Sequence, residues 1–115
     1  MHQYYQRFFE KTSFNALADE SLINSLKNYN VENVIVVGIE THICVYQTIE
    51  ALLEKNYKVT VLKDCCGSRL KEEYQSALDI MSTRGVSIKT LEMVLFEFLK
   101  DAKHPNFKEI QCLIK

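Results

Sequence analysis

Val34-Ile35-Val36-Val37-Gly38-Ile39-Glu40-Thr41-His42-Ile43-Cys44-Val45 is the stretch from which the fold can be read outward. Four β-branched residues run into a glycine with no polar alternation, the pattern of a strand covered on both faces, as in a parallel sheet flanked by helices. Beyond the turn, Val45, Ile49, Leu52 and Leu53 recur at helical spacing. The stretch therefore predicts a strand, a tight turn and a thiol, Cys44, at a helix N-terminus. Such a turn opens at the carboxyl edge of the sheet, where α/β proteins place their ligands.

Upstream, Asp19 is a candidate N-cap for a helix through about Tyr29 that carries Leu22, Ile23 and Leu26 on one face, with Asn28 and Asn30 as stop signals. Residues 1–17 crowd Tyr4, Tyr5, Phe8, Phe9 and Phe14 without a period and read as irregular chain that needs a partner surface. Downstream, Lys55-Asn56 ends the helix, Tyr57 to Leu62 reads as a second strand, and Asp64 to Ser68 as the loop after it. A helix over Lys71 to Thr83 buries Tyr74, Ala77, Leu78 and Met81, with Gly85 placed for a left-handed C-cap. Val86-Ser87-Ile88 is a short third strand, Leu91 to Leu99 a further helix ended by His104-Pro105, and Phe107, Ile110, Leu113 and Ile114 form a last helical stripe.

Helices and strands thus alternate, which predicts a three-layer α-β-α fold with a parallel, Rossmann-like sheet and right-handed crossovers. A strand like Val34 to Val37 belongs in the middle of such a sheet, yet only two others accompany it. Part of the sheet is expected to be missing, and residues 1–115 are read as one partial domain.

Composition narrows the classes. With 47% hydrophobic and 25% charged residues and a net charge of −1, nothing favours nucleic acid or an anionic membrane surface. The apolar runs are too short to span a bilayer and the first residues lack the apolar core of a signal peptide. A soluble cytoplasmic protein is the expectation. Cys44, Cys65, Cys66 and Cys112 make no CxxC and no ligand-spaced pair, so neither zinc nor a disulfide framework is expected.

Taken alone, Cys44 has two readings. A thiol at a helix N-terminus faces the positive end of the dipole, and nearby backbone N–H groups can hold an oxyanion; a small buried hydrophobe is the other. Lys11 alone is a solvated lysine, and His42 without a partner histidine is a turn residue. The Cys65-Cys66 pair reads as loop packing, since adjacent cysteines rarely bridge comfortably. Arg69 either touches a substrate carboxylate or caps the next helix.

Val37-Gly38-Ile39-Glu40-Thr41-His42-Ile43-Cys44-Val45 resembles the nucleophile motif of the isochorismatase-like (cysteine hydrolase) family, which includes nicotinamidases and carbamoylsarcosine amidases. Lys11-Thr12-Ser13-Phe14-Asn15-Ala16 resembles that family's catalytic-lysine segment, and Asp64-Cys65-Cys66-Gly67-Ser68-Arg69 falls on its substrate-side loop. Leu95 to Ala102, His104-Pro105 and Phe107-Lys108-Glu109-Ile110 look like the tail of the subgroup called isochorismatase domain-containing proteins.

The resemblance implies a hydrolase that attacks a small carbonyl or amide compound through a thioester, with Cys44 as nucleophile and Lys11 beside it. It also implies a cis peptide at Ile39-Glu40 and an oxyanion hole from the N–H groups of Glu40 and Cys44. Phe14, Thr41, His42 and Arg69 then become candidates for the substrate side, and no cofactor or metal is implied. The family's third catalytic member, an aspartate, ends an N-terminal apolar strand, and no such run precedes Lys11. The chain therefore resembles the family with its first strands removed. The competing expectation is an inactive fragment or pseudoenzyme that serves as an assembly module. An exposed strand edge predicts a homo-oligomer in either case.

Overall fold

The computed structural model describes residues 7–114. Tyr4 and Tyr5 of the N-terminal aromatic group lie outside the described residues. The described chain runs from a short 3-10 turn (Ala16–Ala18) into α1 (Glu20–Asn28), β1 (Asn33–Ile39), a π-helical turn (Thr41–Val45) and α2 (Tyr46–Glu54). It continues through β2 (Lys58–Gly67), α3 (Lys71–Thr83), β3 (Ser87–Lys89), α4 (Leu91–Leu99) and α5 (Phe107–Leu113).

Local chemistry accounts for most of these boundaries. Asp19 caps α1, its Oδ1 accepting from Ser21 N at 2.9 Å. That carboxylate satisfies a backbone donor that the first helical turn leaves without a partner. Thr90 does the same for α4, accepting from Met93 N at 3.2 Å, and the Asp64 carboxylate of β2 accepts from Leu91 N at 3.0 Å. Gly85 follows α3 with φ +86°, a backbone that L side chains adopt at a cost.

The three strands are parallel, in the order β1-β2-β3. Val34 and Val36 pair with Val59 and Val61 on one face. On that face a core forms from Val59, Val61, Ile49, Leu52, Ala77, Leu78 and Met81, with Leu17, Ile23, Val45 and Val86 completing it. Successive strand residues point to opposite faces, so Leu62 faces away from that core. It is buried on the side where α4 meets β2, as are Val94 and Leu99 of α4. Helices thus cover both faces of β2, the three-layer arrangement expected of the alternating pattern.

Five details differ from what the pattern suggests. The β1 strand pairs only with β2, so it is an edge of the described sheet rather than its middle. Its unbroken apolar run is covered on the core face alone, and Ile35, Val37 and Ile39 on the other face are 44%, 51% and 76% exposed. The β2 strand continues through Asp64 to Gly67, read above as loop, because its pairing with β1 resumes at Gly38 with Cys66 and Ile39 with Gly67 after a bulge. Lastly, β3 begins one residue later than its apolar pattern, and the α5 stripe is not buried: Leu113 is exposed, while Phe107 meets Phe96 edge-on at 6.2 Å.

Candidate active site

The end of β1 carries the site. After Gly38, whose φ is +135°, the Ile39-Glu40 peptide is cis, and the chain winds at once into the π-helical turn. Cys44 is therefore not the first residue of a helix; winding starts at Thr41 and passes into α2 at Tyr46. The carbonyl of Glu40 accepts from the N–H groups of Ile43 at 3.1 Å and Val45 at 3.2 Å, the residues on either side of Cys44. Cys44 itself is half-buried.

Lys11 arrives from the far end of the sequence. Its Nζ lies 3.8 Å from Cys44 Sγ, and it donates to the carbonyls of Ser13 at 3.0 Å and Phe14 at 3.4 Å. Two backbone acceptors aim the ammonium, and the segment is anchored in turn by Ala16 N donating to Thr48 Oγ1 of α2 at 3.0 Å. Among the described residues no carboxylate forms an ion pair with Lys11. A depression of about 580 Å³ lined by Glu10, Lys11, Thr12, Ser13, Ala18 and Asp19 opens beside the lysine without reaching Cys44.

The other candidates divide. Phe14 is largely exposed near the lysine. Thr41 is 0% exposed, so its side chain is out of reach of a small molecule. His42 Nδ1 lies 2.9 Å from Ser68 Oγ. Arg69 neither waits free for a substrate nor caps α3 with its side chain: its N and Nε both donate to Glu40 Oε1, at 3.1 and 2.8 Å. Burial raises the affinity of the Glu40 carboxyl for a proton, but these two bonds and the positive charges of Arg69 and His42 outweigh it and hold Glu40 below the ordinary carboxylate value. Ser68, in sequence only one member of the loop from Asp64 to Arg69, enters the site through its contact with His42.

The remaining thiols differ from Cys44 in surroundings. Burial, then the Asp64 carboxylate, pushes the Cys65 thiol above its usual range. Burial also raises Cys66, helped by Cys65 and Asp64 and opposed by a hydrogen bond with the Gly38 backbone. Among the described residues no group of three or more His, Cys, Asp or Glu side chains converges as a metal site would. Also among them, no helix is long and apolar enough to cross a membrane.

Known proteins resemble the chain in both sequence and fold. The isochorismatase domain matches residues 2–93. The chain is 36% identical over 107 residues to isochorismatase domain-containing protein 1 of Salmo salar, covering 93% of this chain and 38% of that protein. It is 39% identical over 106 residues to isochorismatase domain-containing protein 2 of Xenopus laevis, covering 92% of this chain and 52% of that one. Among solved structures, the MAR1 ribonuclease of Caenorhabditis elegans superposes with a TM-score of 0.81 at 38% identity, over 90% of this chain and 53% of that one. A nicotinamidase from Bacillus subtilis, at 22% identity and a TM-score of 0.66 over 69% of this chain and 44% of its own, shares the fold. The chain spans about half the length, or less, of the curated relatives it matches. The chain belongs to the isochorismatase family.

Proposed function

We propose that this chain carries the nucleophile half of a cysteine hydrolase that acts on a small carbonyl or amide compound. The observation that carries the proposal is the 3.8 Å approach of Lys11 Nζ to Cys44 Sγ across 33 positions of sequence. An ammonium beside a sulfur favours the thiolate, which is the nucleophilic form. In the proposed reaction Cys44 Sγ bonds to the carbonyl carbon, the leaving group departs with a proton, and water later cleaves the thioester. The N–H groups of Glu40 and Cys44 are the proposed oxyanion hole, and Phe14 the proposed apolar wall.

The family's aspartate has no counterpart from Lys11 onward. Loss of one member of a catalytic triad typically costs about four orders of magnitude. Acylation of Cys44 without rapid turnover is accordingly expected of these 115 residues. The four cysteines are all unpaired, which supports a reducing, cytoplasmic setting. Ribonuclease action, the activity named for the Caenorhabditis elegans neighbour, is a less favoured assignment because the net charge of −1 offers RNA no general attraction.

Timed iodoacetamide labelling at neutral pH, read residue by residue by mass spectrometry, tests the proposal. Cys44 should label faster than the exposed Cys112, with Cys65 and Cys66 slowest, and Lys11→Met should remove the advantage of Cys44. Equal slow labelling of all four thiols contradicts the proposed role of Cys44.

A further inference from the structure

The connection between β2 and α3 grips the nucleophile turn at two points. Arg69 N and Nε both donate to Glu40 Oε1, and its neighbour Ser68 places Oγ 2.9 Å from His42 Nδ1. The residues gripped alternate along the turn, and each lies more than 25 positions away in sequence. Glu40 joins the two layers of this arrangement: its side chain is tied to the loop after β2, and its carbonyl accepts from both sequence neighbours of Cys44. We infer that Ser68 and Arg69 are positioning residues, holding Glu40 and His42 so that the turn around Cys44 keeps the geometry acyl transfer needs. This rests on the hydrolase proposal, and it removes Arg69 from the set of substrate contacts.

Magnitudes separate this role from simple stabilisation. The Arg69 side chain is 79% exposed although that of Glu40 is only 20% exposed, and an ion pair open to solvent on one side contributes modestly to folding. Oxyanion stabilisation, by contrast, depends on donors held in place, and a displacement near 1 Å costs up to about 100-fold in rate. A planar guanidinium fixed through Nε, together with a backbone donor on the same oxygen, sets the direction of the carboxylate as well as its distance. Loosening it should disturb acyl transfer while leaving the fold and the intrinsic reactivity of the thiol in place.

Two reactions at the same sulfur distinguish these effects. Alkylation by iodoacetamide needs a thiolate but no oxyanion hole, whereas acylation by p-nitrophenyl acetate needs both. Both rates at Cys44 would be measured on the unaltered chain, on Arg69→Met, Arg69→Lys, Glu40→Gln and Ser68→Ala, and on the double variant that combines Arg69→Met with Glu40→Gln. Urea unfolding of each variant would confirm that it is folded. In Arg69→Met and Glu40→Gln, acylation should fall about 10- to 100-fold relative to alkylation, and the double variant should be no worse than either single one. Arg69→Lys should recover part of the loss, since a point charge restores the ion pair but not the fork. Ser68→Ala should give a smaller loss in the same ratio. If the two rates fall together, or neither falls, the positioning role is overturned while the hydrolase proposal stands. If the unaltered chain is not acylated at Cys44 at all, both are overturned.

Discussion

Thr41 opens the nucleophile turn with none of its surface exposed, and among the described residues its Oγ1 has no hydrogen-bond partner. Burying a hydroxyl without a partner costs about 1–3 kcal/mol. Valine has nearly the same shape and no hydroxyl, so Thr41→Val should leave stability unchanged or raise it by up to about 1 kcal/mol, measured by urea unfolding. A clear loss would show that the hydroxyl finds a partner in solution. Gly85 makes the opposite case. A Cβ there would meet nothing within 4 Å, so space is no obstacle, but its φ of +86° remains strained for any L side chain. Gly85→Ala should therefore destabilise by roughly 1–2 kcal/mol through backbone conformation alone, and an unchanged unfolding midpoint would contradict that.

At the scale of elements, caps and turn clamps decide where helices start, and two of the carboxylates among them, Asp19 and Glu40, hold their protons more weakly than usual. Hydrogen bonds from the backbone and side chain of Ser21 hold Asp19 at the head of α1 below its ordinary value, against a small opposing effect of burial. Glu40 is lowered too, with burial opposing and Arg69 prevailing. A carboxyl whose folded value is depressed binds protons more weakly in the folded state. Its contribution is thus complete above the ordinary carboxylate range and is lost as pH falls through the folded value. The urea midpoint should accordingly stay level from about pH 7 to about 5 and drop below about 4, with Asp19→Asn showing a shallower drop. An identical acid slope in that variant would remove Asp19 from the account. Asp19, Gly85 and the apolar spacing of α3 and α4 were legible in the sequence because each acts through residues next to it in the chain. The continuation of β2 through Asp64 to Gly67 was not, because it depends on pairing with Gly38 and Ile39 across a bulge. The same holds in the site: the cysteine turn is a local pattern, whereas the Glu40–Arg69 and His42–Ser68 contacts join loops that only the fold brings together.

For the whole molecule, the unbalanced feature is β1. Among the described residues one edge of it pairs with no strand, and on the face opposite the core it carries three exposed β-branched side chains, Ile35, Val37 and Ile39. Beside that edge an apolar groove of about 240 Å³ runs between β1 and α1, lined by Leu17, Leu22, Leu26 and Val34 among others. A strand in this state presents backbone donors and acceptors as well as apolar surface to any matching chain. A second copy of the chain presents the same edge, and antiparallel pairing of two β1 edges about a two-fold axis would satisfy the backbone groups of both. The chain is therefore expected to associate at micromolar concentration, with a mass by light scattering that rises as concentration is raised. Val37→Lys places a charge in the middle of the exposed stripe. It should return the chain toward monomer mass while leaving iodoacetamide labelling of Cys44 unchanged, since charged side chains on an edge oppose pairing. A monomeric mass for the unaltered chain across that range would show that β1 remains uncovered by its own kind, and the association would then be ruled out independently of the chemistry at Cys44.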